Sequence, residues 1–305
     1  MNDTHEPWSM YWEGGALNSC ITGSQEQDAR VIASFWQGFA AALPNTARVL
    51  DLATGNGAVP QQLLSTRPDL KITGVDSANI RPHDHVSGDH TLATVQFLAN
   101  TDITQLPFDD GSFDAVTSQF GLEYSNCQLS IPEAARILAP RGRLLLLVHH
   151  NDSAILSSGR RTLAEIDLLM HPGGVIDTLV ACVQGRASDD HLEQAGQRFL
   201  ADPTAKSRHV WGQILEGINR VINDRQAQPE RAAALAHAMQ QRLEAEQARL
   251  SQLQQAARSE HDVADITELL TISGLFAAAP APITSGDGES IERVIIGWQV
   301  AAHKK

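Results

Sequence analysis

The sequence predicts an α/β protein with a doubly wound, mainly parallel sheet and a helical insertion. Three observations lead to this fold class. Residues 48–150 alternate short apolar strands with helices, a small-residue turn at 53–57 follows the first strand, and residues 151–261 carry almost no strand signal. Nearly continuous apolar strands separated by helices indicate a parallel sheet that is covered on both faces.

The first α/β part of the chain contains five strand patterns. They fill residues 48–52, 71–76, 94–98, 113–117 and 143–149, while helix patterns fill 59–65 and 132–138. Turn sequences separate them, for example Asp109-Asp-Gly-Ser112 and Pro140-Arg-Gly142. We therefore expect a core over residues 48–150, preceded by a helical segment over residues 1–47 that acts as a lid.

The insertion over residues 151–261 has helix patterns at 163–170, 175–183, 191–199 and 209–221. Its Ala- and Gln-rich segment 229–258 places five apolar residues on one helical face: Leu235, Met239, Leu243, Leu250 and Leu253. We expect this helix to lie on its own domain, and the alternative is a hairpin that forms a homodimer. The insertion as a whole is a candidate substrate cap.

The last part of the chain, residues 262–305, returns to α/β patterning and is expected to complete the core. A helix pattern over 264–272 is stopped by Gly274. A strand is expected within 275–283, and a long strand over 291–303 closes the chain.

Composition and charge exclude several classes of protein. The 305 residues are 42% hydrophobic, enough for a substantial core, and 23 basic against 36 acidic residues leave a net charge of −13. Such an acidic chain is not expected to bind nucleic acid. The longest apolar run, 144–148, is too short to span a membrane, and the first residues lack a leader pattern, so a cytoplasmic protein is expected. The cysteines (Cys20, Cys127 and Cys182) are too widely spaced for a disulfide framework or a zinc site.

The turn after the first strand is the most informative stretch. Gly55 and Gly57 let the backbone approach a ligand at the carboxyl edge of the sheet, although a tight strand–helix turn explains them equally well. Asp76 ends the second strand and is placed to accept the hydroxyls of a ribose, or else to cap the next helix. After the third strand, Asp102 could accept from an adenine amino group and Ile103 could pack on the ring; a solvated turn is the alternative.

These residues lie within five motifs whose order resembles class I S-adenosylmethionine-dependent methyltransferases. The motifs are Val-Leu-Asp-Leu-Ala-Thr-Gly-Asn-Gly, Gly-Val-Asp, Asp-Ile-Thr-Gln-Leu-Pro-Phe, Ser-Phe-Asp-Ala-Val and Arg-Ile-Leu-Ala-Pro-Arg-Gly-Arg. The resemblance is greatest to the small-molecule branch of the ubiquinone/menaquinone-biosynthesis type. It implies a Rossmann-like sheet of seven strands, the last antiparallel, and transfer of a methyl group from S-adenosylmethionine to O, N or C of a small-molecule acceptor.

The resemblance also implies a set of cofactor-binding residues. Asp51 would order the loop, Ala53, Gly55 and Gly57 would approach the methionine part, and Asp76 with Ser77 would hold the ribose. Asp102 and Ile103 would hold adenine, while Gln119 and Phe120 would face the sulfonium. Ala53 departs from the family, which usually has glycine there. Its methyl group is tolerable at negative φ and damaging at positive φ.

Two other functions remain open from the residues alone. An NAD(P)-dependent oxidoreductase uses a similar loop and acid, but the third glycine that it requires is replaced by Pro60. The second is a non-catalytic, cofactor-binding scaffold.

Candidate catalytic groups stand at the carboxyl ends of two strands. They are His149 and His150 after the fifth strand, of which strand alternation turns only one to the site, and Glu123 and Tyr124 after the fourth. Tyr11 and Trp12, together with Trp8, could form an aromatic lid that touches the substrate; a helix packed on the sheet is the alternative. His83-Asp-His85, Asp89 and His90 have no regular ligand spacing, so no metal is expected.

Overall fold

The computed structural model describes residues 6–19, 25–85, 90–285 and 293–305. The chain divides into two compact units. The first consists of Met1–Ser157 with Leu253–Lys305, and the second is Ser158–Gln252. The second unit therefore lies within the segment 151–261 that the sequence sets apart as an insertion.

The first unit is built on one sheet with the strand order β3-β2-β1-β4-β5-β8-β6, and β7 also pairs with β8. Strands β1 to β5 pair in parallel, whereas β8 is antiparallel to β5, β6 and β7. The bounds are β1 Arg48–Leu52, β2 Lys71–Val75, β3 Gln96–Leu98, β4 Phe113–Gln119, β5 Leu138–His149, β6 Leu275–Ala277, β7 Ala281–Ser285 and β8 Val294–Lys304. The predicted fold class, a doubly wound and mainly parallel sheet, is confirmed.

The sheet has eight strands instead of the expected seven because the sixth is interrupted. β6 and β7 pair with successive parts of β8. The Ala278 N–H still donates to Ala301 O of β8, and residues 279 and 280 then leave the ladder. Pro280 has no N–H to donate to a neighbouring strand, which explains the break. Residues 291 and 292 of the predicted last strand lie outside the described residues.

Two predicted boundaries differ from the structure for local reasons. Helix α5 begins at Cys127, before Pro132, because the side chain of Asn126 caps it by accepting from the Gln128 N–H. The predicted turn at residues 140–142 is a bulge within β5, where the pairing with β4 shifts register and Arg141 takes a φ of 64°.

Within the described ranges, six helices belong wholly to the first unit: α1 Glu6–Glu13, α2 Gln25–Ala41, α3 Ala58–Thr66, α4 Pro82–His85, α5 Cys127–Ile137 and α11 Glu260–Ile272. α5 and α11 cover one face of the sheet. Leu144, Leu146 and Val148 of β5 share a buried cluster with Ile131 of α5 and Ile266 of α11. Burial of these apolar side chains stabilises the position of the central strands. The carboxyl ends of those strands form the edge at which the candidate site lies.

The second unit is helical. Its helices are α6 Ala154–Met170, α7 Val175–Val183, α8 Asp189–Ala201, α9 His209–Asp224 and α10 Pro229–Ala256, of which α6 and α10 extend into the first unit. Leu243, Leu250 and Leu253 of α10 are buried within this single chain. A homodimer through 229–258 therefore stays a prediction.

By length and composition alone, Ala154–Val183 is apolar enough to cross a membrane, and 44% of its most apolar window is buried. This stretch is two helices, of 17 and 9 residues, separated at His171–Gly174. It is weak evidence for a span.

Candidate functional site

The turn after β1 lies at the carboxyl edge of the sheet and has an unusual backbone. Gly55 and Gly57 take φ angles of 52° and 90°, which glycine adopts at little cost. Ala53 takes a φ of 53°, the left-handed conformation that is unfavourable for a residue with a Cβ. The substitution of alanine for the family's usual glycine is therefore strained here.

Asp51 stands under this turn, at the carboxyl end of β1. Its side chain is 1% exposed, and it accepts a 2.8 Å hydrogen bond from the Thr117 hydroxyl of β4. Burial raises the pKa of Asp51 to about 7, and the hydroxyl hydrogen bonds oppose this rise. Asp51 thus joins β1 to β4 beneath the loop.

Asp76 joins the end of β2 to the same loop. Its Oδ2 accepts from the Gly55 N–H at 2.8 Å and its Oδ1 accepts from the Ala78 N–H at 2.9 Å. Ser77 follows, half-buried. The next helix, α4, begins only at Pro82, so Asp76 does not cap a helix that follows it directly.

Asp102 and Ile103 lie in the loop after β3. The exposed Asp102 accepts from both the N–H and the hydroxyl of Thr104 at 2.8 Å, an Asx-type turn. Ile103 is 7% exposed and belongs to the core cluster. The structure therefore gives both residues structural contacts, and their contact with adenine stays a prediction.

Gln119 and Phe120 end β4. The indole N–H of Trp36 in α2 donates to Gln119 Oε1 at 2.6 Å, which fixes that amide. Phe120 takes a φ of 53°, and its ring stacks on that of His149 with centroids 4.4 Å apart. A bulky residue held at positive φ marks strain at this edge of the sheet.

Helix α1 covers the glycine turn. The indole of Trp12 lies so close to Gly55 that a Cβ added there would be 2.3 Å from Trp12 Cζ2. The Asn56 side-chain amide donates to the backbone oxygens of Trp12 and Ala16, both at 2.9 Å. The aromatic segment named as a lid is thus fastened over the candidate cofactor loop.

Two more aromatic residues of α1 extend this surface. The rings of Trp8 and Tyr11 pack edge-to-face at 5.9 Å, and Trp8 meets the ring of Tyr124 at 5.3 Å. α1 therefore reaches from the end of β2 to the short helix Leu122–Tyr124 after β4.

The candidate catalytic groups fall into two sets. Glu123 Oε1 accepts from the His149 N–H at 2.8 Å, and the Tyr124 hydroxyl lies 3.3 Å from His149 Nε2. His150 points elsewhere, since its ring stacks on Trp298 at 4.4 Å and its Nδ1 accepts from the Asp152 N–H. The structure brings Glu123, Tyr124 and His149 together and separates His150 from them.

Glu123 is the most perturbed of these groups. It is 2% exposed, and burial raises its pKa to about 7. Within the described ranges, its Oε2 has no hydrogen-bond partner. The backbone carbonyl of Glu123 also accepts from Arg258 at 2.7 Å. A buried carboxyl group that titrates near neutrality suits proton transfer.

One polar residue of the loop has a place in the site that was not foreseen from the sequence. Asn56 Oδ1 is buried and has no hydrogen-bond partner in the part of the chain that the structure describes. The available signal was a polar side chain between two glycines, Gly55-Asn-Gly57, which a simple turn does not require.

No group of three or more His, Cys, Asp or Glu side chains that could hold a metal occurs among the residues described. Cys20 and Asp89 lie outside the described residues. The ring of His83 packs against Phe97 with centroids 5.3 Å apart.

The α/β core is similar to known proteins. Residues 50–146 match the family described as a methyltransferase domain. A demethylmenaquinone methyltransferase of Thermotoga maritima is 38% identical over 104 residues, which make up 34% of this chain and 44% of that protein. A ubiquinone/menaquinone biosynthesis C-methyltransferase of Geobacter sp. is 32% identical over 126 residues, 37% of this chain and 51% of that protein. The chain therefore matches about half the length of these relatives.

Among solved structures, a SAM-dependent methyltransferase from Methanosarcina mazei is 14% identical and covers 87% of this chain and 96% of that chain, with a TM-score of 0.43. The resemblance to class I methyltransferases of the quinone-biosynthesis type is confirmed by the sequence matches, over the core that they span.

Proposed function

We propose, from the methyltransferase domain at residues 50–146, that this chain transfers a methyl group from S-adenosylmethionine to a small-molecule acceptor. The observation that supports this best is the arrangement at the carboxyl edge of the sheet. Two carboxylates, Asp51 and Asp76, lie beneath and beside a loop whose glycines take positive φ. Ligands of doubly wound sheets bind at this edge.

The residues of the loop fit a cofactor with a polar amino-acid end. Asn56 Oδ1 is a buried acceptor that lacks a partner among the described residues, and an ammonium group would supply the donor that it needs. Because Gly55 has no Cβ, the indole of Trp12 lies directly against its backbone. Asp76, at the end of β2, would be the acceptor for ribose hydroxyls. A ligand that contacts the Gly55 backbone would have to displace the indole of Trp12 or pack against it. Helix α1 would therefore move away from the loop when the ligand enters and return when it is bound.

The bound cofactor would supply an electrophilic methyl group, and the protein's task is to position a nucleophile and manage its proton. The rings of Trp8, Tyr11 and Trp12 offer π faces that stabilise a cation. They also exclude water from the carboxyl edge. These residues would therefore shape both the sulfonium side and the acceptor side of the site.

Glu123, Tyr124 and His149 are the proposed proton-handling group. Tyr124 reaches the His149 ring by a 3.3 Å contact and touches Trp8 of the lid, so it stands nearest to an acceptor held by α1. Glu123 holds the His149 backbone and titrates near neutrality. A proton taken by Tyr124 or His149 would thus remain in a buried network. His150 has no part in this proposal.

The names of the relatives suggest a first acceptor. Both act in the methylation of a quinone precursor, and we propose an apolar, aromatic acceptor for this chain because its lid is aromatic. The acceptor atom that receives the methyl group is C, O or N.

Calorimetric titration with S-adenosylhomocysteine tests the cofactor, with NAD⁺ and NADP⁺ titrated in parallel. The proposal expects saturable binding of the nucleoside alone, and binding of NAD⁺ or NADP⁺ instead would favour the oxidoreductase. Transfer of labelled methyl to a reduced naphthoquinone, a phenol and an aromatic amine then tests the activity. Cofactor binding without transfer to any acceptor would favour the non-catalytic scaffold.

A further inference from the structure

A second concave surface lies far from the candidate site. It is a groove of about 910 Å³ between helix α2 and the strands β5, β6 and β8. Arg143 and Leu144 of β5 line it, whereas the candidate site is at His149. Six residues of strand separate Arg143 from His149, so the two sites are about 20 Å apart along β5.

The walls and floor of this groove are largely apolar. Phe35 and Phe39 stand one turn apart on α2, and both line the groove half-exposed. Leu145 pairs with Ala301 in its floor. Phe276 of β6 forms part of the opposite wall and is 43% exposed. Exposed aromatic rings on two sides of a concavity suit an apolar ligand.

The rim of the groove is cationic, although the chain as a whole carries a net charge of −13. Its lining includes Arg141, Arg143, His303, Lys304 and Lys305, and among the residues that the structure describes no acidic side chain lines it. This separation of charge favours an anion at the groove.

Arg141 and Arg143 are the cations best placed to bind an anion at the groove. Both are exposed, and neither side chain makes a hydrogen bond or ion pair to another residue of the described ranges. Lys304 is engaged, since its Nζ donates to the backbone oxygens of Ala135 and Leu138. Lys305 Nζ lies 4.5 Å from the centroid of the Phe276 ring. Arg141 lies in the bulge of β5, at a φ of 64°.

We propose that this groove binds a free amphiphilic carboxylate, with its tail between Phe35, Phe39 and Phe276 and its head on Arg141 and Arg143. A guanidinium pairs with a carboxylate through two parallel hydrogen bonds. The volume falls within the range of small-molecule pockets, about 300–1,000 Å³, which favours single molecules over a membrane surface. The site is separate from the proposed methyl transfer and does not depend on it.

Titration of the full chain with dodecanoate below its critical micelle concentration tests the proposal. We expect saturable binding of one dodecanoate per chain and no binding of dodecyltrimethylammonium. The double variant Arg141→Gln/Arg143→Gln should bind dodecanoate at least about tenfold more weakly, a loss of about 1.4 kcal/mol or more. Phe39→Ser should also weaken it, because the tail loses one wall.

The control is Arg161→Gln/Arg242→Gln, which removes two exposed charges from other helices and should leave the affinity unchanged. Circular dichroism checks that each variant is folded. Equal affinity in the groove variant and in the control would overturn the proposal, as would absence of saturable binding. Binding only to vesicles that contain an anionic phospholipid would overturn it in favour of a membrane surface.

Discussion

Gly121 makes room for the methyl group of Ala53. A Cβ added at Gly121 would lie 2.4 Å from the Cβ of Ala53, closer than two carbon atoms can approach. Ala53 itself sits at a φ of 53° in the cofactor loop, while Gly121 begins the turn after β4. The unusual alanine of the loop is therefore accommodated by a glycine 68 residues further along the chain.

Gly121→Ala should lower the free energy of unfolding by about 1–3 kcal/mol through overpacking against Ala53. In the Ala53→Gly background the clash is removed, so most of this loss should be recovered. Ala53→Gly alone relieves about 1–2 kcal/mol of left-handed strain, offset by the greater freedom of glycine in the unfolded chain. Urea denaturation of all four proteins gives the coupling energy.

The control for this cycle is Gly38→Ala, in helix α2, where an added Cβ meets nothing within 4 Å. This variant should be neutral or slightly more stable. Additive effects of the two changes at Ala53 and Gly121 would refute the steric relationship.

Asp76→Asn should weaken S-adenosylhomocysteine binding by about 1–3 kcal/mol, because an amide presents one oxygen where the carboxylate presents two. The asparagine side chain has nearly the same shape as aspartate, and its one oxygen can still accept from the Gly55 or the Ala78 N–H. Asp114→Asn at the opposite end of the sheet, where Arg48 pairs with the carboxylate, is the control. Calorimetry that finds the same affinity in the Asp76 variant and in the control would exclude the ribose contact.

Trp12 should report cofactor binding by its fluorescence. A ligand that reaches the Gly55 face changes the surroundings of the indole that now covers it. We expect S-adenosylhomocysteine to change the emission of the native chain, and Trp12→Phe to lose most of that change. Trp211→Phe, where the indole stacks on Phe199 in the second unit, should retain it. An undiminished signal in Trp12→Phe would argue against a lid that moves.

Glu123 should make the protein less stable as the pH rises towards neutrality. Burial raises its pKa from 4.5 to about 7, so between these values the folded state binds more protons than the unfolded chain. The free energy of unfolding therefore falls as the pH rises through this window. Asp51, whose pKa is also raised to about 7, contributes in the same direction.

Glu123→Gln should reduce the loss of stability between pH 5 and pH 8 by up to about 3 kcal/mol, as measured by urea denaturation at each pH. Glu133→Gln is the control. Arg136 lowers the pKa of the Glu133 carboxyl, so its contribution is lost only below about pH 4.5 and the slope above pH 5 should not change. A slope in Glu123→Gln equal to that of the native chain would contradict the assignment.

The succession of strands along the chain and the place of the glycine turn were predictable because they rest on local patterns. An apolar run correctly predicted β1 over Arg48–Leu52, and Pro229 correctly predicted the start of α10. Boundaries were missed where one neighbouring residue decided them, as Asn126 does by capping α5 ahead of Pro132. The sixth strand was expected as one, and its interruption before Ala281 depends on pairing with β8.

What the sequence alone determined is the α/β class, the turn with its two glycines, and the acids that follow neighbouring strands. Only the tertiary structure decided that the φ of Ala53 is positive and that the Trp12 indole lies on Gly55. It also decided that His149, and not His150, contacts Tyr124. The physical reason is that these contacts join residues distant in sequence. Their geometry depends on how helices and strands pack, and a local pattern carries no information about that.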